Sequence, residues 1–545
     1  MHSPRLLALS LCAIVVGNRA SADAPEVKNV ARVPAEGTPH YVGNRAPLAP
    51  SPLVKLPIGA IVPRGWLRAM LETEARGMVG NLPELSRWCR FENNAWTDPQ
   101  GKGHSGWEEM PYWLKGYGDL GYVLKDEKII AETRRWIEAI LKTQEKDGWF
   151  GPRGLRTSLD GKPDLWPHML VLNILQSHYE VTGDKRVLDF MAKYFEWEMN
   201  CPEKDFLTGY WPKIRAGDNL ESVIWLYNRT GDKKLLPLME KIHKHTARWD
   251  TGVINWHGVN ITQGFREPGV YFLAAKDPRL LEAVERNYQT VMGLYGQVPG
   301  GMFGADENAR PGYIDPRQGA ETCSMVEFMH SFQMLTKITG DSIWSDRCEE
   351  VAFNSLPAAL TPDQKALHYL TGANMVQLDR HNKAPGLQNG GTMLSYSPLE
   401  VYRCCQHNVA HGWPYFAEEL WLATADRGLC ASMYAPSEVT AKVGADGDEV
   451  TIVTDTDYPF SDTITFRIKA AKPVQFPLYL RVPHWCSDER VSVNGTRVEP
   501  DPREKAFLLR TSKKVSKWYL VLNSTWKSGD VVELRLPMKV SLRTW

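Results

Sequence analysis

The sequence predicts a mostly α-helical toroid of the (α/α)6 type followed by a β-sandwich. Three observations predict it. A phrase consisting of an apolar helix end, a Gly, an Asp and a new apolar run recurs through the long middle of the chain. After Cys430 the texture changes to β-branched runs separated by short turns. The length, 545 residues, is also too great for one ordinary domain.

Taken in order, residues 1–22 read as a signal peptide. Arg5 gives the positive start, Leu6 to Val16 an apolar stretch too short to cross a bilayer as a helix, and Ala20-Ser21-Ala22 a small-residue cleavage site. The mature protein is therefore expected in the periplasm or outside the cell, and no other segment is apolar for long enough to span a membrane. Residues 23–65 read as an extension rich in Pro, Ala and Gly, with a short strand over 55–61. Pro63-Arg64-Gly65-Trp66 then opens a helix.

Residues 66–432 read as the toroid. Tyr179-Glu180-Val181-Thr182-Gly183-Asp184, Tyr227-Asn228-Arg229-Thr230-Gly231-Asp232 and Thr336-Lys337-Ile338-Thr339-Gly340-Asp341 are each a helix stopped by Gly, then an Asp placed to cap the next helix. Ala275-Lys276-Asp277-Pro278 is a weaker copy. The uneven spacing suits helical hairpins closing into a ring better than a solenoid of identical units. Residues 433–545 read as the sandwich, with strands over 450–454, 463–468, 478–482 and 531–536 and turns at Asn494-Gly495 and Ser528-Gly529-Asp530. The chain stops straight after strand-like Val540-Ser541-Leu542, so the sandwich is expected to be a truncated one.

Formal net charge is zero, which gives no reason to expect nucleic acid or an anionic membrane as partner. The 20 Trp, 20 Tyr and 16 Phe raise the prior for carbohydrate, because aromatic faces stack on sugar rings, although a large helical domain also buries Trp in its core. Cys12 lies in the signal segment. The even set that follows it (Cys89, Cys201, Cys323, Cys348, Cys404, Cys405, Cys430 and Cys486) invites a disulfide reading. A chain this long needs no staples to build a core, and adjacent Cys404-Cys405 are poorly placed to bond to each other.

Two segments carry chemistry. Gly319-Ala320-Glu321-Thr322-Cys323-Ser324-Met325 starts one helix, and Tyr402-Arg403-Cys404-Cys405-Gln406-His407-Asn408 lies just before another, near Gly412-Trp413. Glu321, Cys323, Cys404 and Cys405 together make a carboxylate and three thiolates, a donor set that suits zinc better than magnesium or calcium. Either pair alone is weak evidence, and buried free cysteine is the bland reading of Cys404-Cys405. A third segment, Pro299-Gly300-Gly301-Met302-Phe303-Gly304-Ala305-Asp306-Glu307-Asn308, sets glycines before an acidic pair, as in a loop that approaches a ligand or as in a plain turn.

At these residues the sequence resembles glycoside hydrolase family 127, the β-L-arabinofuranosidase-like proteins, over nearly the whole mature chain. The resemblance includes Leu56-Pro57-Ile58-Gly59 to Gly65-Trp66-Leu67, Glu321-Thr322-Cys323, Cys404-Cys405 and Leu536-Pro537-Met538. It implies a zinc ion held by Glu321, Cys323, Cys404 and Cys405, with Cys404 as nucleophile and Glu307 as acid/base. It thus implies a secreted, retaining exo-glycosidase acting on an oligosaccharide or polysaccharide of plants or algae. The histidines with which the family's arabinofuranosidases hold the sugar have no clear counterparts. The candidates for that part of the site are His168, Arg266 in Gln263-Gly264-Phe265-Arg266-Glu267-Pro268, and Trp107, Glu108 and Glu109 at a helix start. Arg266 would suit an acidic sugar. Two other readings stand beside this one: a polysaccharide lyase on the same architecture, and a non-catalytic carbohydrate-binding protein with structural zinc.

Overall fold

The computed structural model describes residues 25–388, 391–396, 403–503, 518–542 and 544. The expected signal segment, and Tyr402 beside the cysteine pair, lie outside them. Inner helical segments pack side by side about one axis. They are Glu109–Leu124, Trp166–Thr182, Gly217–Thr230, the pair Gly258–Gly264 and Glu267–Ala275, Thr322–Thr339, and Gly412–Glu418, which closes back on the first. Outside them lie Glu127–Leu141, Arg186–Asn200, Leu235–His245, Pro278–Tyr295, Ser342–Glu350 and Gly65–Arg76. This is the expected toroid. Burial separates the two layers. Every residue of Glu109–Leu124 is buried, as in a helix enclosed on all sides. Glu127–Leu141 buries Ile129, Thr133, Trp136, Ile137 and Ile140, one stripe at helical spacing.

The recurring phrase does what its residue types dictate. Gly183, Gly231 and Gly340 take φ of 68°, 70° and 63°, the left-handed conformation that ends a helix. Asp184 and Asp232 accept the amides of Arg186 and Lys234 at 3.0 Å, and Asp341 accepts that of Ile343 at 3.2 Å. The weaker copy works the same way, with Lys276 at φ 58° and Asp277 capping Arg279. A further copy, Lys125-Asp126, escapes a search for glycine because a lysine takes the left-handed position.

The strands are β1 (Glu26–Val30), β2 (Leu53–Lys55), β3 (Ile61–Pro63), β4 (Ala320–Glu321), β5 (Leu370–Thr371), β6 (Trp421–Thr424), β7 (Leu429–Ala431) and β8 (Ser437–Val443). They continue as β9 (Asp448–Asp455), β10 (Thr463–Ala470), β11 (Val474–Val482), β12 (Arg490–Val493), β13 (Thr496–Val498), β14 (Trp518–Trp526) and β15 (Val531–Arg535). One sheet runs β1-β14-β11-β7-β6-β2, the other β13-β12-β15-β10-β9-β8-β3. Alternating burial in β10, with Ile464, Phe466 and Ile468 inward, makes the sandwich core.

Four expectations are corrected here. The segment over 23–65 is not a bare extension: β1 pairs antiparallel with β14, β2 with β6 and β3 with β8, so the N-terminal strands cover edges that would otherwise be open. The strand expected over 55–61 is split into β2 and β3, and β6 and β7 bring the sandwich forward of residue 433. Val540 and Leu542 form no strand and are almost fully exposed. The two domains are joined by a buried ion cluster. Arg481 of β11 donates to Ser432 O at 2.6 Å and pairs with Glu349 at 2.5 Å and with Asp346, both carboxylates from the outer helix Ser342–Glu350.

Candidate functional site

The inner helices run parallel, with their N-terminal ends at one mouth of the ring. Glu108 and Tyr112, Arg215, His257 and Val259, Glu321 and Cys323, and Cys404 all come from the first turns of these helices or the residues just before them, and all line one cavity of about 290 Å³. Positive helix ends therefore surround it, which favours negative charge there.

The core of the site is a group of four ligand atoms, from Glu321, Cys323, Cys404 and Cys405, all within 4.8 Å of one another. Such a group could hold a metal ion. Two local arrangements build it. β4 pairs with β5, which fixes Glu321 opposite Leu370 and beside Tyr369. Cys404 and Cys405 enter a short turn of helix at Cys405–Asn408, which leads into a segment pressed against Glu109–Leu124. Gly116 makes that approach possible, since a Cβ there would lie 2.1 Å from Ala410 C. Cys404 Sγ lies 3.8 Å from Glu321 Oε1 and 4.0 Å from Cys405 Sγ, and Cys405 Sγ lies 3.6 Å from the same Oε1. The first-turn amide of Cys323 donates to Cys405 Sγ at 3.3 Å. Glu321 Oε2 is buried with no hydrogen-bond partner.

The three thiols differ. Hydrogen bonds from Cys323 and Cys405, and one from Tyr369, hold the Cys404 thiol well below its ordinary range. Burial pushes Cys323 and Cys405 well above it. Cys404 is also the half-buried member and the one of the three bonded to Tyr369. The cluster thus presents two sulfurs to the cavity, Cys323 and Cys404, of which only Cys404 has a lowered thiol, and keeps Cys405 behind them. Eight cysteines, including these three, are free of disulfides among the described residues.

Glu307 faces the cluster across the same cavity. Its loop is held by Asp306, whose carboxylate accepts the Gly319 amide at 2.5 Å and the Gln388 amide at 3.2 Å and pairs with Arg310 at 2.5 Å. Asp306 and Glu307 both have positive φ, 40° and 75°, a strained backbone for residues with a Cβ that these bonds fix in place. Burial raises the Glu307 carboxyl, against a lowering bond from Tyr369. The Tyr369 hydroxyl donates to Glu307 Oε1 at 3.2 Å and lies 3.4 Å from Cys404 Sγ, so one tyrosine spans the two groups.

Of the remaining expected contacts, Trp107 and Glu108 line the cavity. Trp107 donates to Asp164 at 3.0 Å, and Glu108 accepts from Trp166 at 2.5 Å. Burial raises Glu108 to about 8, against Arg215 at 4.0 Å. Glu109 is fully buried behind the wall and holds the cavity-lining Arg403 through a 2.7 Å bond from its Nε. Two expectations fail. His168 is turned away into a cage of Trp149, Phe150, Trp96 and Tyr194, bonded to Phe150 O at 2.8 Å and pushed down to about 4 by burial. Arg266 is fully buried below the cavity, pairing with Asp218 at 2.5 Å and donating to Ser331 at 2.8 Å, so it is not free for an acidic sugar. The reading from sequence offered the stretch Trp107 to Trp113, from which Tyr112 also lines the cavity, but it missed Trp211, Arg215, His257, Tyr369 and Met393, single residues without a paired motif. Arg215 is buried, stacked over Trp166 and Trp211 and bonded to Asn260 and Tyr112.

Beneath the cavity lies a buried ion layer, Lys115 with Glu327 at 3.3 Å and Arg266 with Asp218 and Glu327. Glu327, His330 and His411 also form a close group. There, however, Lys115 and Arg266 already balance Glu327 and Asp218, so a divalent ion would be uncompensated in a buried place.

The sequence matches the description "Beta-L-arabinofuranosidase, GH127 catalytic domain" over residues 68–418 and "Beta-L-arabinofuranosidase, GH127 middle domain" over 428–538. Among solved structures, a GH127 β-arabinofuranosidase aligns with TM-score 0.67 at 18% identity, over 90% of this chain and 81% of that one. A GH127 β-L-arabinofuranosidase from Geobacillus stearothermophilus T6 aligns with TM-score 0.68 at 18% identity, over 88% and 82%. No curated protein matches.

Proposed function

The chain belongs to the β-L-arabinofuranosidase family GH127 and is a glycoside hydrolase; on that premise we propose that it is a secreted, zinc-dependent, retaining exo-glycosidase that removes terminal sugars from a plant or algal glycan. The observation that carries the mechanism is the line Glu307, Tyr369, Cys404 across one cavity. A retaining glycosidase needs a nucleophile and a proton donor on either side of the scissile bond. Cys404, whose thiol its hydrogen bonds hold well below the ordinary range, is the nucleophile, and Glu307, whose carboxyl burial raises, is the acid. Tyr369 has one proton to give. With Glu307 protonated, that proton is free for the Cys404 thiolate, which is the protonation state the first step requires.

Glu307 gives its proton to the leaving oxygen as Cys404 attacks the anomeric carbon, then takes one from the water that releases the sugar. The one-carboxylate, three-thiol donor set of Glu321, Cys323, Cys404 and Cys405 suits zinc. Bound there, zinc would supply charge that keeps the thiols ionised near neutral pH and makes sulfur a better leaving group. The cavity is closed below by the ion layer, which favours the end of a glycan chain over its middle. No helix among the described residues is long and apolar enough to cross a membrane.

The test is to trap the intermediate. A slow, activated glycoside should add its sugar mass to the intact protein, and peptide mapping should find it on Cys404. Glu307→Gln should slow substrates with poor leaving groups by about 10²–10⁴-fold and activated ones far less. Labelling of a carboxylate, or product of inverted configuration, would refute the cysteine mechanism.

A further inference from the structure

The other mouth of the ring holds a second, larger cavity of about 600 Å³. It lies at the C-terminal ends of the inner helices: Cys323, in the site, and Lys337, in this cavity, are about 21 Å apart along one helix at 1.5 Å per residue. The buried Lys115, Glu327, Arg266 and Asp218 layer lies between.

Its walls carry an excess of negative charge. Glu180, Glu221, Glu418 and Glu419 face it, with Asp119 close to Lys55 behind them. The facing cations are Lys55, Arg229 and Lys337, and each is already paired: Lys55 with Glu418 at 2.5 Å, Arg229 with Glu180 and Lys337 with Glu419. Glu221 meets His330 at 3.9 Å, and Asp119 is served by the Ser177 hydroxyl at 3.0 Å. Burial and nearby cations hold His330 well below its ordinary value and burial raises the Glu221 carboxyl, so the pair lacks a cation and an ammonium bound there would favour ionised Glu221.

Unpartnered polar atoms line the same space. Asn173 Oδ1, His330 Nδ1, Glu221 Oε2 and Glu419 Oε2 have no hydrogen-bond partner. Asn173 and His330 are each 6% exposed, and neither belongs to the acidic set. The three oxygens only accept, so an occupant must bring donors and positive charge. A bare metal ion is a poor fit, since of the close groups of potential metal ligands among the described residues only His330 reaches this cavity, and its partner Glu327 is already balanced by Lys115 and Arg266. Trp225 and Tyr415 already have cations over their rings, Arg229 at 4.0 Å and Lys55 at 5.9 Å, and Ile224, Leu273 and Met334 add an apolar wall suited to methylene groups.

We propose that this cavity binds a small aliphatic di- or polyamine, with ammonium groups on Glu221 and Glu419 and the methylene chain along Ile224, Leu273 and Met334. It would enter past Tyr41 and Val42 at the rim, where Val42 is 54% exposed. The test is calorimetric titration of the full chain with spermidine, beside triethylene glycol as a neutral chain of similar length and Mg²⁺ as a bare cation. One spermidine per chain is expected, weakened roughly tenfold by Glu221→Gln, which removes one charged contact. Val42→Arg, at an exposed position that leaves the core intact, should weaken it as well by placing a cation at the mouth. Thermal melts of both variants establish that they are folded. Absence of spermidine binding, binding unchanged in both variants, or equal affinity for triethylene glycol or Mg²⁺ would each overturn the assignment.

Discussion

Replacing Tyr369 by Phe isolates the connection between the proposed acid and the proposed nucleophile. The change removes one hydroxyl from a residue that is 6% exposed and leaves its ring in place, so the packing survives. Two contacts are lost, at 3.2 Å to Glu307 and 3.4 Å to Cys404. A hydrogen bond to a charged group is worth about 1.5–3 kcal/mol. At about 1.4 kcal/mol per factor of ten, kcat/KM should fall roughly ten- to hundred-fold. The pH profile separates this from a merely structural role. The bond from Tyr369 lowers the Glu307 carboxyl while burial raises it, so without the bond Glu307 stays protonated to higher pH. An acid must be protonated to act, and the basic limb of kcat/KM should therefore move to higher pH. The assay is kcat/KM against pH for an aryl glycoside, with a thermal melt as the folding control. A rate within twofold of the parent and an unmoved basic limb would refute the relay.

Three further outcomes follow from other parts of the molecule. Elemental analysis should find one zinc per chain, and removing it with a chelator should abolish hydrolysis and lower the melting temperature together, because crowded buried ligands are left without their cation. Glu74 is 2% exposed and burial raises its carboxyl well above 4.5, so it contributes most below that value and costs stability as pH rises toward its folded pKa, by about 1.4 kcal/mol per unit. Glu74→Gln should match the parent in urea unfolding at pH 4 and exceed it at pH 7; equal stability at both would refute the assignment. Arg481→Met strands Asp346 and Glu349 at the domain junction and should cost about 3–5 kcal/mol, largely recovered when both carboxylates are also made amides.

How much of this was legible in the sequence depended on whether a function needs neighbours in the chain. The toroid could be read because every hairpin must stop one helix and cap the next, and Gly-Asp does both in two residues. Lys125-Asp126 shows the limit: the same backbone is reached without the glycine that advertises it. The ligand group could be read because its members come in local pairs, Glu321 with Cys323 and Cys404 with Cys405. Tyr369 could not, since its role arises from the β4–β5 pairing, which brings it beside Glu321 from far along the chain. Arg215 and His257 likewise arrive singly, each at the start of a different inner helix.

The two misplaced residues expose the rule that sequence reading lacked. His168 and Arg266 are polar residues on inner helical segments, and both were assigned to the sugar on that ground. In a ring of parallel helices, position along the helix and direction around it decide what a residue meets. Cys323 lies in the first turn of its helix and reaches the cavity; Glu327, one turn further in, is already in the ion layer; Lys337 lies at the opposite mouth. Arg266 precedes Glu267–Ala275, which looks like a helix start, but Gly258–Gly264 has already occupied the level of the cavity, so Arg266 falls in the layer below. His168 is at the right level and faces outward. The same coordinate accounts for the residues that do line the cavity, and it gives the back of the ring its own chemistry. One helix such as Thr322–Thr339 thus serves a thiol-lined pocket at its N-terminal end, a neutral ion layer one turn further in, and an acidic chamber at its C-terminal end. The positive end of its dipole faces the thiols, while the acidic chamber has to neutralise both the negative helix ends and its own carboxylates. Lys55, Arg229 and Lys337 do part of that, and the charge left over is what a cationic ligand would meet.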